Sequence, residues 1–572
     1  MKVPLSARGG QKINRLLAGS QGPLTGALFL TVVPLTAHLL FSWMGFNPTD
    51  DGFFLAGSRR ILEGQIPHLD FITVRPPGSY LLHTPFVLLG GDYTFWLSRL
   101  FVWFEFATIS WCWVLILEGL LRVRFSAPYR VGYGLIGFVL SSHTFPPMAW
   151  NSIDGLFVAS LGLALATQRT SQGATKVLGY ILIGSAPLFR QNFLLLPLLA
   201  LIVLGDWRRL RLWVAAGAPL ALYLGLLVSM GAFPDALLQL TAPADLGKVV
   251  YVGWKKYLDH GSLPWGILYG YGAMFLRYGR VKMPLLVKVQ PVVGMFMVYG
   301  AVALVAGALA YDSWGYWQYW ELVYTLFGMS LGATMYFLGE ETEQRTYGRA
   351  GLLAVAFAWS VSISFGYKTP ALASGGLALV LLAFSHVARA PTVEARLPQR
   401  TFPMAMAVLT FLLVVAALAS YYVARHKFVY LDRPAEQLTR RLDGVFPGAK
   451  MIRTSEDTAA FLEDLQEAIG RARPKPFAIV PDFAGYWVKA PQLNPLSVDW
   501  PQAEVLPSPA LFNRVVEDLE RQRGSVVVIV QKVRVFPYGF TPLPDIDHFA
   551  IVRYVRSHFE KVGETRYFDL YR

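Results

Sequence analysis

Asn47-Pro48-Thr49-Asp50-Asp51-Gly52-Phe53-Phe54 sets two adjacent carboxylates directly after an apolar run, residues 24–46. That run is long enough for a membrane span, which needs about 20 apolar residues. A basic segment with Lys2, Arg8, Lys12 and Arg15 precedes it. It carries no small-residue cleavage signature, so an uncleaved first helix with a cytoplasmic N-terminus is expected. Asp50 and Asp51 then lie just outside the bilayer on the opposite side.

The rest of the chain agrees with a membrane setting. Of its 572 residues, 54% are hydrophobic and only 15% are Asp, Glu, Lys or Arg, against about 25% charged in a soluble domain. This excludes a simple soluble enzyme, a disordered protein and a disulfide scaffold. The single Cys112 lies inside an apolar run and excludes an intrachain disulfide. The net charge of +14 sits largely in short loops between apolar runs, where it sets topology. A nucleic-acid partner is not expected.

Alternating the spans against the basic loops gives a consistent path. Residues 88–117 descend to a basic loop at 122–130, 131–148 rise, and 153–167 descend to Arg169 and Lys176. The run 177–204 is interrupted by Pro187, Arg190 and Pro197, and parity requires a hairpin of short helices there. Residues 212–230, 263–276, 289–310, 322–338, 351–365, 371–388 and 402–423 complete about thirteen transmembrane helices, with the C-terminus outside. Residues 1–423 are thus expected to form a transmembrane domain and 424–572 a small extracytoplasmic α/β domain. In the latter, helices are expected at 454–471, 509–523 and 546–560, and strands at 477–480, 525–533 and 563–570.

After the acidic pair come Arg59 and Arg60, the turn Glu63-Gly64-Gln65-Ile66-Pro67, then Asp70-Phe71, then Arg75-Pro76-Pro77-Gly78-Ser79-Tyr80. Taken singly, Asp50 or Asp51 reads as a helix N-cap and Pro-Pro-Gly as a turn. Taken together, residues 50–80 resemble the first outer loop of GT-C glycosyltransferases. These polyprenyl-phosphate-sugar-dependent enzymes include protein O-mannosyltransferases and lipid A aminoarabinose transferases. The likeness extends more weakly over residues 146–192.

The resemblance implies a GT-C-like polytopic α-helical fold in the inner membrane of a bacterium. It also implies inverting transfer of a sugar from a polyprenyl-phosphate-linked donor to an acceptor hydroxyl of a glycan, lipid or protein. On the matching positions, Asp50 is the expected base and Asp51 the second acidic residue, where the family more often has Glu. Asp70, Arg75 and Tyr80 share the loop; Arg75 meets the donor phosphate or pairs with Asp70.

The chemistry has its own logic. An acceptor hydroxyl is a poor nucleophile and needs a carboxylate base. The leaving phosphate needs cationic neutralisation more than a general acid. Arg190, in the middle of an apolar run, is costly unless paired or facing a wet cavity, and is a candidate phosphate contact. Asp154 opens a descending helix, as a cap or as the second acidic site some GT-C enzymes carry. Lys368 stands at an outer boundary as an anchor or a substrate contact, and His143 reads as a packed polar residue. With no Cys/His cluster and no HExxH, no metal site and no cofactor are expected. The rival classes are a transporter or flippase of lipid-linked sugars, which would tend to show two related halves, and an O-antigen ligase or polymerase, which would rely on outer Arg and His residues.

Overall fold

The computed structural model of the chain describes residues 7–168, 173–242, 251–279, 284–311, 317–340, 344–363, 369–386, 401–536, 539–542 and 549–572. Most of these residues are helical. The first part runs α1 (Ala7–Phe41), α2 (Phe53–Leu62), α3 (Gly78–Leu89), α4 (Thr94–Leu121), α5 (Ala127–Ser142), α6 (Asn151–Thr167), α7 (Ala174–Ser185), α8 (Leu196–Val203), α9 (Leu210–Ser229) and α10 (Phe233–Thr241).

Among the described residues five helices are long and apolar enough to cross a membrane: Pro23–Phe41, Gly91–Leu121, Leu210–Ser229, Val289–Tyr311 and Met404–Lys427. Shorter apolar helices accompany them, among them Asn151–Thr167 and Ala371–His386. Leu222 and Phe411 are each 66% exposed, as apolar side chains on a lipid-facing surface would be. By contrast, α4 is buried along most of its length and forms the centre of the bundle.

The broken run is two short helices. Pro187 sits in a 3-10 turn after α7, Pro197 starts α8, and Arg190 lies between them in extended backbone. Proline ends the first helix because it lacks the N–H and crowds the preceding turn. Helices α6 and α7 touch backbone to backbone at Gly162 and Gly179, where an added Cβ would stand 2.5 and 2.7 Å from the opposite carbonyl oxygen. Small residues at such crossings are the usual route to tight packing in membranes.

Beyond the helix Thr401–Lys427 the chain changes character. Strands β1 (Arg440–Arg441) and β2 (Arg453–Thr454) pair antiparallel. A four-stranded sheet has the order β3 (Phe477–Val480), β4 (Val527–Gln531), β8 (Phe568–Tyr571), β7 (Lys561–Glu564). β3 and β4 are parallel, and β8 is antiparallel to both β4 and β7. β5 (Val533–Phe536) and β6 (Gly539–Pro542) form a separate hairpin.

The sheet is covered on both faces, which explains why β3 and the first four residues of β4 are continuous apolar runs. Phe477, Ile479, Val527 and Ile529 face the core that includes the helix Glu456–Ala472. Ala478, Val480, Val528 and Val530 face Leu511, Val515, Ile551 and Val555 of the helices Pro509–Arg521 and Ala550–His558. The single strand expected at 563–570 is instead the β7–β8 hairpin. Its turn is held by Asp464, which accepts from the backbone N–H of Arg566 at 3.2 Å and of Tyr567 at 2.7 Å.

This C-terminal part is fastened to the loop that follows α1. Arg60 donates to both carboxylate oxygens of Asp499 at 2.7 Å and to the Leu496 carbonyl at 2.8 Å. Gly485 N–H donates to the Pro48 carbonyl at 2.7 Å, and Ile72 N–H to the Ser497 carbonyl at 2.7 Å. An added Cβ on Gly52 would stand 2.0 Å from the Gly485 Cα, so only glycine permits this approach. Ile72 and Val74 complete the apolar core beneath the sheet.

Candidate active site

The seam between the loop that follows α1 and the C-terminal part holds the acidic pair. Asn47 shapes it: its Oδ1 accepts from the N–H of Thr49 at 3.0 Å and of Asp50 at 2.7 Å, an Asx turn. A short 3-10 turn, Asp50–Gly52, then leads into α2, whose N-cap is Gly52. Neither aspartate caps α2 through its side chain.

The two carboxylates point to different places. Asp51 is 5% exposed and accepts from Arg99 of α4 at 2.9 Å and from the Asn47 N–H at 2.9 Å. Arg99 also donates to the carbonyls of Ser42, Met44 and Gly45. The pair therefore locks the end of α1 and the acidic turn onto the central helix. Asp50 is half-buried and accepts from the Tyr430 hydroxyl at 2.8 Å.

Asp50 lines a cavity of about 110 Å³ with Asn47, Thr49, Phe461, Asp482, Trp500 and Gln502 among its walls. Trp500 Nε1 donates to Asp482 at 2.7 Å, and Gln502 donates to the same oxygen. Of the aromatic residues the sequence offered in 483–487 and 494–500, Tyr486, Trp487 and Phe483 are all packed in the core, and Phe483 and Trp500 line the cavity.

Arg75 stands behind this wall. Its guanidinium lies 5.2 Å from the Phe53 ring, 5.7 Å from Phe54 and 5.5 Å from Trp150. Phe53 in turn packs on Trp500 at 5.2 Å. Among the described residues Arg75 Nη1 is buried with no hydrogen-bond partner. Burial pushes its pKa down, while the Tyr80 hydroxyl and the Asp50 carboxylate push it up. Asp50 and Arg75 thus feel each other's charge, with the aromatic cage beside them.

Arg190 is an electrostatic neighbour of Arg75. It is buried and donates to Asn151 Oδ1 at 3.4 Å and to Ser152 Oγ, both at the start of α6. Tyr80 is buried; its hydroxyl is 2.9 Å from Thr73 Oγ1, and its ring fills the gap over Gly57. Asp70 is exposed and accepts from the Ile66 N–H at 2.6 Å, which closes a local turn. No ion pair joins Asp70 to Arg75 among the described residues. His143 is buried with Nδ1 3.0 Å from the Ser141 carbonyl. Lys368 lies outside the described residues.

Asp154 is not at the seam. It is fully buried one turn into α6, whose N-cap is Trp150, and its Oδ1 is 3.2 Å from His83 Nε2 of α3. Glu105 of α4 completes a trio in which one ligand-type atom from each residue lies within 4.8 Å of the others. Sequence reasoning singled out neither His83 nor Glu105, nor Arg99 or Tyr430. Arg99 and Glu105 did leave a signal, each being a charge inside an otherwise apolar run.

No family model matches the chain, and no curated protein does. Two solved structures are similar to it over nearly their whole length. One is the crystal structure of ArnT from Cupriavidus metallidurans bound to undecaprenyl phosphate, at 13% identity and a TM-score of 0.41, covering 95% of this chain and 97% of that one. The other is ArnT from the same organism in the apo state, at 14% identity and a TM-score of 0.40, covering 97% and 98%.

Proposed function

We propose that the chain is an integral membrane glycosyltransferase that moves a sugar from a polyprenyl-phosphate donor to an acceptor hydroxyl, with inversion at the anomeric carbon. The observation that carries this reading is the seam itself. A half-buried carboxylate, Asp50, lines a cavity walled by aromatic and amide side chains, and a caged arginine with an unpartnered N–H stands within its electrostatic reach.

In this reading the acceptor O–H gives its proton to Asp50 as its oxygen attacks the anomeric carbon. The bond from that carbon to the phosphate oxygen breaks, and the electron pair leaves with the polyprenyl phosphate. Arg75, with Arg190 beside it, neutralises the charge that develops there. The aromatic rings around Arg75 exclude water, which strengthens that contact. Asp51, held by Arg99, acts as a positioning residue that fixes where Asp50 points. Tyr80 and Asp70 hold the loop, and Trp500 offers the sugar a stacking face.

The membrane frame proposed with it has some thirteen spans within residues 1–423, a cytoplasmic N-terminus and an extracytoplasmic unit at 424–572, in a bacterial plasma membrane. The acidic turn and the C-terminal unit then share the face at which flipped lipid-linked sugars are available.

The test is donor consumption by the purified chain across a panel of polyprenyl-phosphate sugars, with Asp50→Asn alongside. Loss of a general base costs about 10²–10⁴-fold in rate, and Asp50→Asn is expected to show that loss while remaining folded. Equal turnover by the variant removes Asp50 from the role. Movement of the intact donor lipid across a vesicle membrane, with the sugar–phosphate bond unbroken, replaces the enzyme by a transporter.

A further inference from the structure

The bundle carries a second concentration of chemistry that the seam does not use. His83 on α3, Glu105 on α4 and Asp154 on α6 are each 0% exposed. Their ligand-type atoms cluster within 4.8 Å. Among the described residues, neither oxygen of Glu105 has a partner by hydrogen-bond geometry, and Asp154 Oδ2 has none either. Among the described residues no Lys or Arg pairs with either carboxylate. Were both carboxyls ionised, burial this deep would cost many kcal/mol unless a positive charge joined them; without one they must share a proton.

We propose that the trio is a binding site for one divalent transition-metal cation, zinc by preference, which ties α3, α4 and α6 together. Two carboxylates and a neutral imidazole carry a charge of −2, which a divalent cation cancels. The imidazole selects against magnesium and calcium, which take oxygen ligands. Zinc bonds nitrogen and oxygen at about 2.0–2.2 Å, so neighbouring ligand atoms of a tetrahedral site stand about 3.4 Å apart. The 3.2 Å between His83 Nε2 and Asp154 Oδ1 matches such an edge. Glu105, with two unpartnered oxygens, supplies the third ligand.

Among the described residues His83 Nδ1 has no acceptor, so none of them supplies the outer hydrogen bond that often orients a ligating histidine. Packing orients the ring instead: Phe101 meets it edge-on at 5.6 Å and Phe86 lies 6.0 Å away.

The position gives the site a purpose. α3 begins three residues after Arg75, α4 carries Arg99, which holds Asp51, and the first turn of α6 carries Asn151 and Ser152, which hold Arg190. A cation at the trio would fix, from below, the three helices that set the seam. The inference stands independently of the glycosyltransferase reading.

The experiment uses the full chain in detergent, on an affinity tag free of histidine. Chelator-stripped protein is titrated with zinc and, separately, with cobalt, alongside Glu105→Gln and Asp154→Asn. The expected result is one equivalent bound per chain, a visible cobalt spectrum of four-coordinate type, a melting temperature raised by the metal, and at least tenfold weaker binding in each variant. X-ray absorption at the zinc edge of the unaltered protein gives a second reading that does not depend on a variant folding. One imidazole with oxygen ligands is expected; a sulfur-containing shell or two or more imidazoles overturns the assignment. Stripped protein that binds neither metal at micromolar concentration, or variants that keep full affinity, also overturn it. The trio is then a pair of carboxyls sharing a proton.

Discussion

The seam and the trio are both built from buried charge, yet they treat it in opposite ways. At the seam each carboxylate has a named partner: Asp51 has Arg99 at 2.9 Å, and Asp50 has Tyr430 at 2.8 Å. In the trio, among the described residues, neither oxygen of Glu105 has a partner by hydrogen-bond geometry, and the charge it faces is another carboxyl, Asp154. The contrast separates charges that hold the fold from charges held for a ligand. By that criterion Arg75, with a buried and unpartnered Nη1, belongs with Glu105 although it lies at the seam. Asp51, although next to Asp50 in sequence, belongs with the structural pairs.

The largest effect expected from this division is at Arg99. Arg99→Met removes the partner of a carboxylate that is only 5% exposed and releases three backbone carbonyls. Breaking one side of a buried pair costs about 3–5 kcal/mol, and thermal unfolding in detergent should show it. Adding Asp51→Asn to Arg99→Met should recover part of the loss. A singly substituted protein as stable as its parent would mean that the seam is held elsewhere, and the division fails.

Next comes Arg75. Arg75→Met keeps much of the shape inside the cage of Phe53, Phe54 and Trp150 while removing the charge. If the guanidinium is held for a phosphate, kcat/KM falls by about 10²–10³ with little change in melting temperature. Arg75→Lys restores part of it, as a point charge without the fork geometry. An equal fall in stability, with turnover of the folded fraction unchanged, would move Arg75 to the structural side.

Much of this division was open to sequence reasoning, and the limits are physical. Asp50, Asp51 and Arg75 lie within one loop, so a local motif presents them together. The alternation of β3, β4 and their flanking helices is equally local, and Phe477–Val480 was delimited from its apolar run. The trio is different. His83, Glu105 and Asp154 come from three helices, and no spacing along the chain encodes their meeting. Asp154 alone reads as a cap or a second acidic site; only the packing of α3, α4 and α6 gives it His83. Tyr430 was hidden for a related reason, since it reaches Asp50 only because the C-terminal part folds back over the first loop. Arg99 and Glu105 were legible in principle, because a charge inside an apolar run demands a partner. The sequence could announce the demand and not the partner.

A smaller effect is expected at Tyr430. Tyr430→Phe removes one hydrogen bond to Asp50 and leaves the ring. A hydrogen bond to a charged group contributes about 1.5–3 kcal/mol, and part of it is exchanged for water here because the site is half-buried. The donor favours the ionised carboxylate, so its loss makes protonation of Asp50 easier. The acidic limb of the rate profile should therefore move to higher pH, with the plateau rate reduced about tenfold or less. A profile that keeps its position and loses only height would place Tyr430 against substrate and not against Asp50.

The smallest effect concerns His68, which shares the seam's habit of satisfying its groups. Its Nδ1 meets Gln239 at 3.1 Å and its Nε2 meets the Tyr223 hydroxyl at 2.7 Å. Burial lowers its pKa from 6.5 to about 4, against the opposing pull of its hydrogen bonds and of Asp235. The sign follows from proton counting. Below pH 6.5 the unfolded chain takes up a proton that the folded His68 refuses until about pH 4. The stabilisation is complete above pH 6.5 and is lost as pH falls through that window, at no more than about 1.4 kcal/mol per pH unit. His68→Gln keeps a polar side chain that does not titrate, so the difference in stability between parent and variant should shrink as pH falls from 7 to 4.5. A difference that stays constant with pH would mean that His68 takes up its proton equally in both states, and that the seam is wetter at this point than its burial implies.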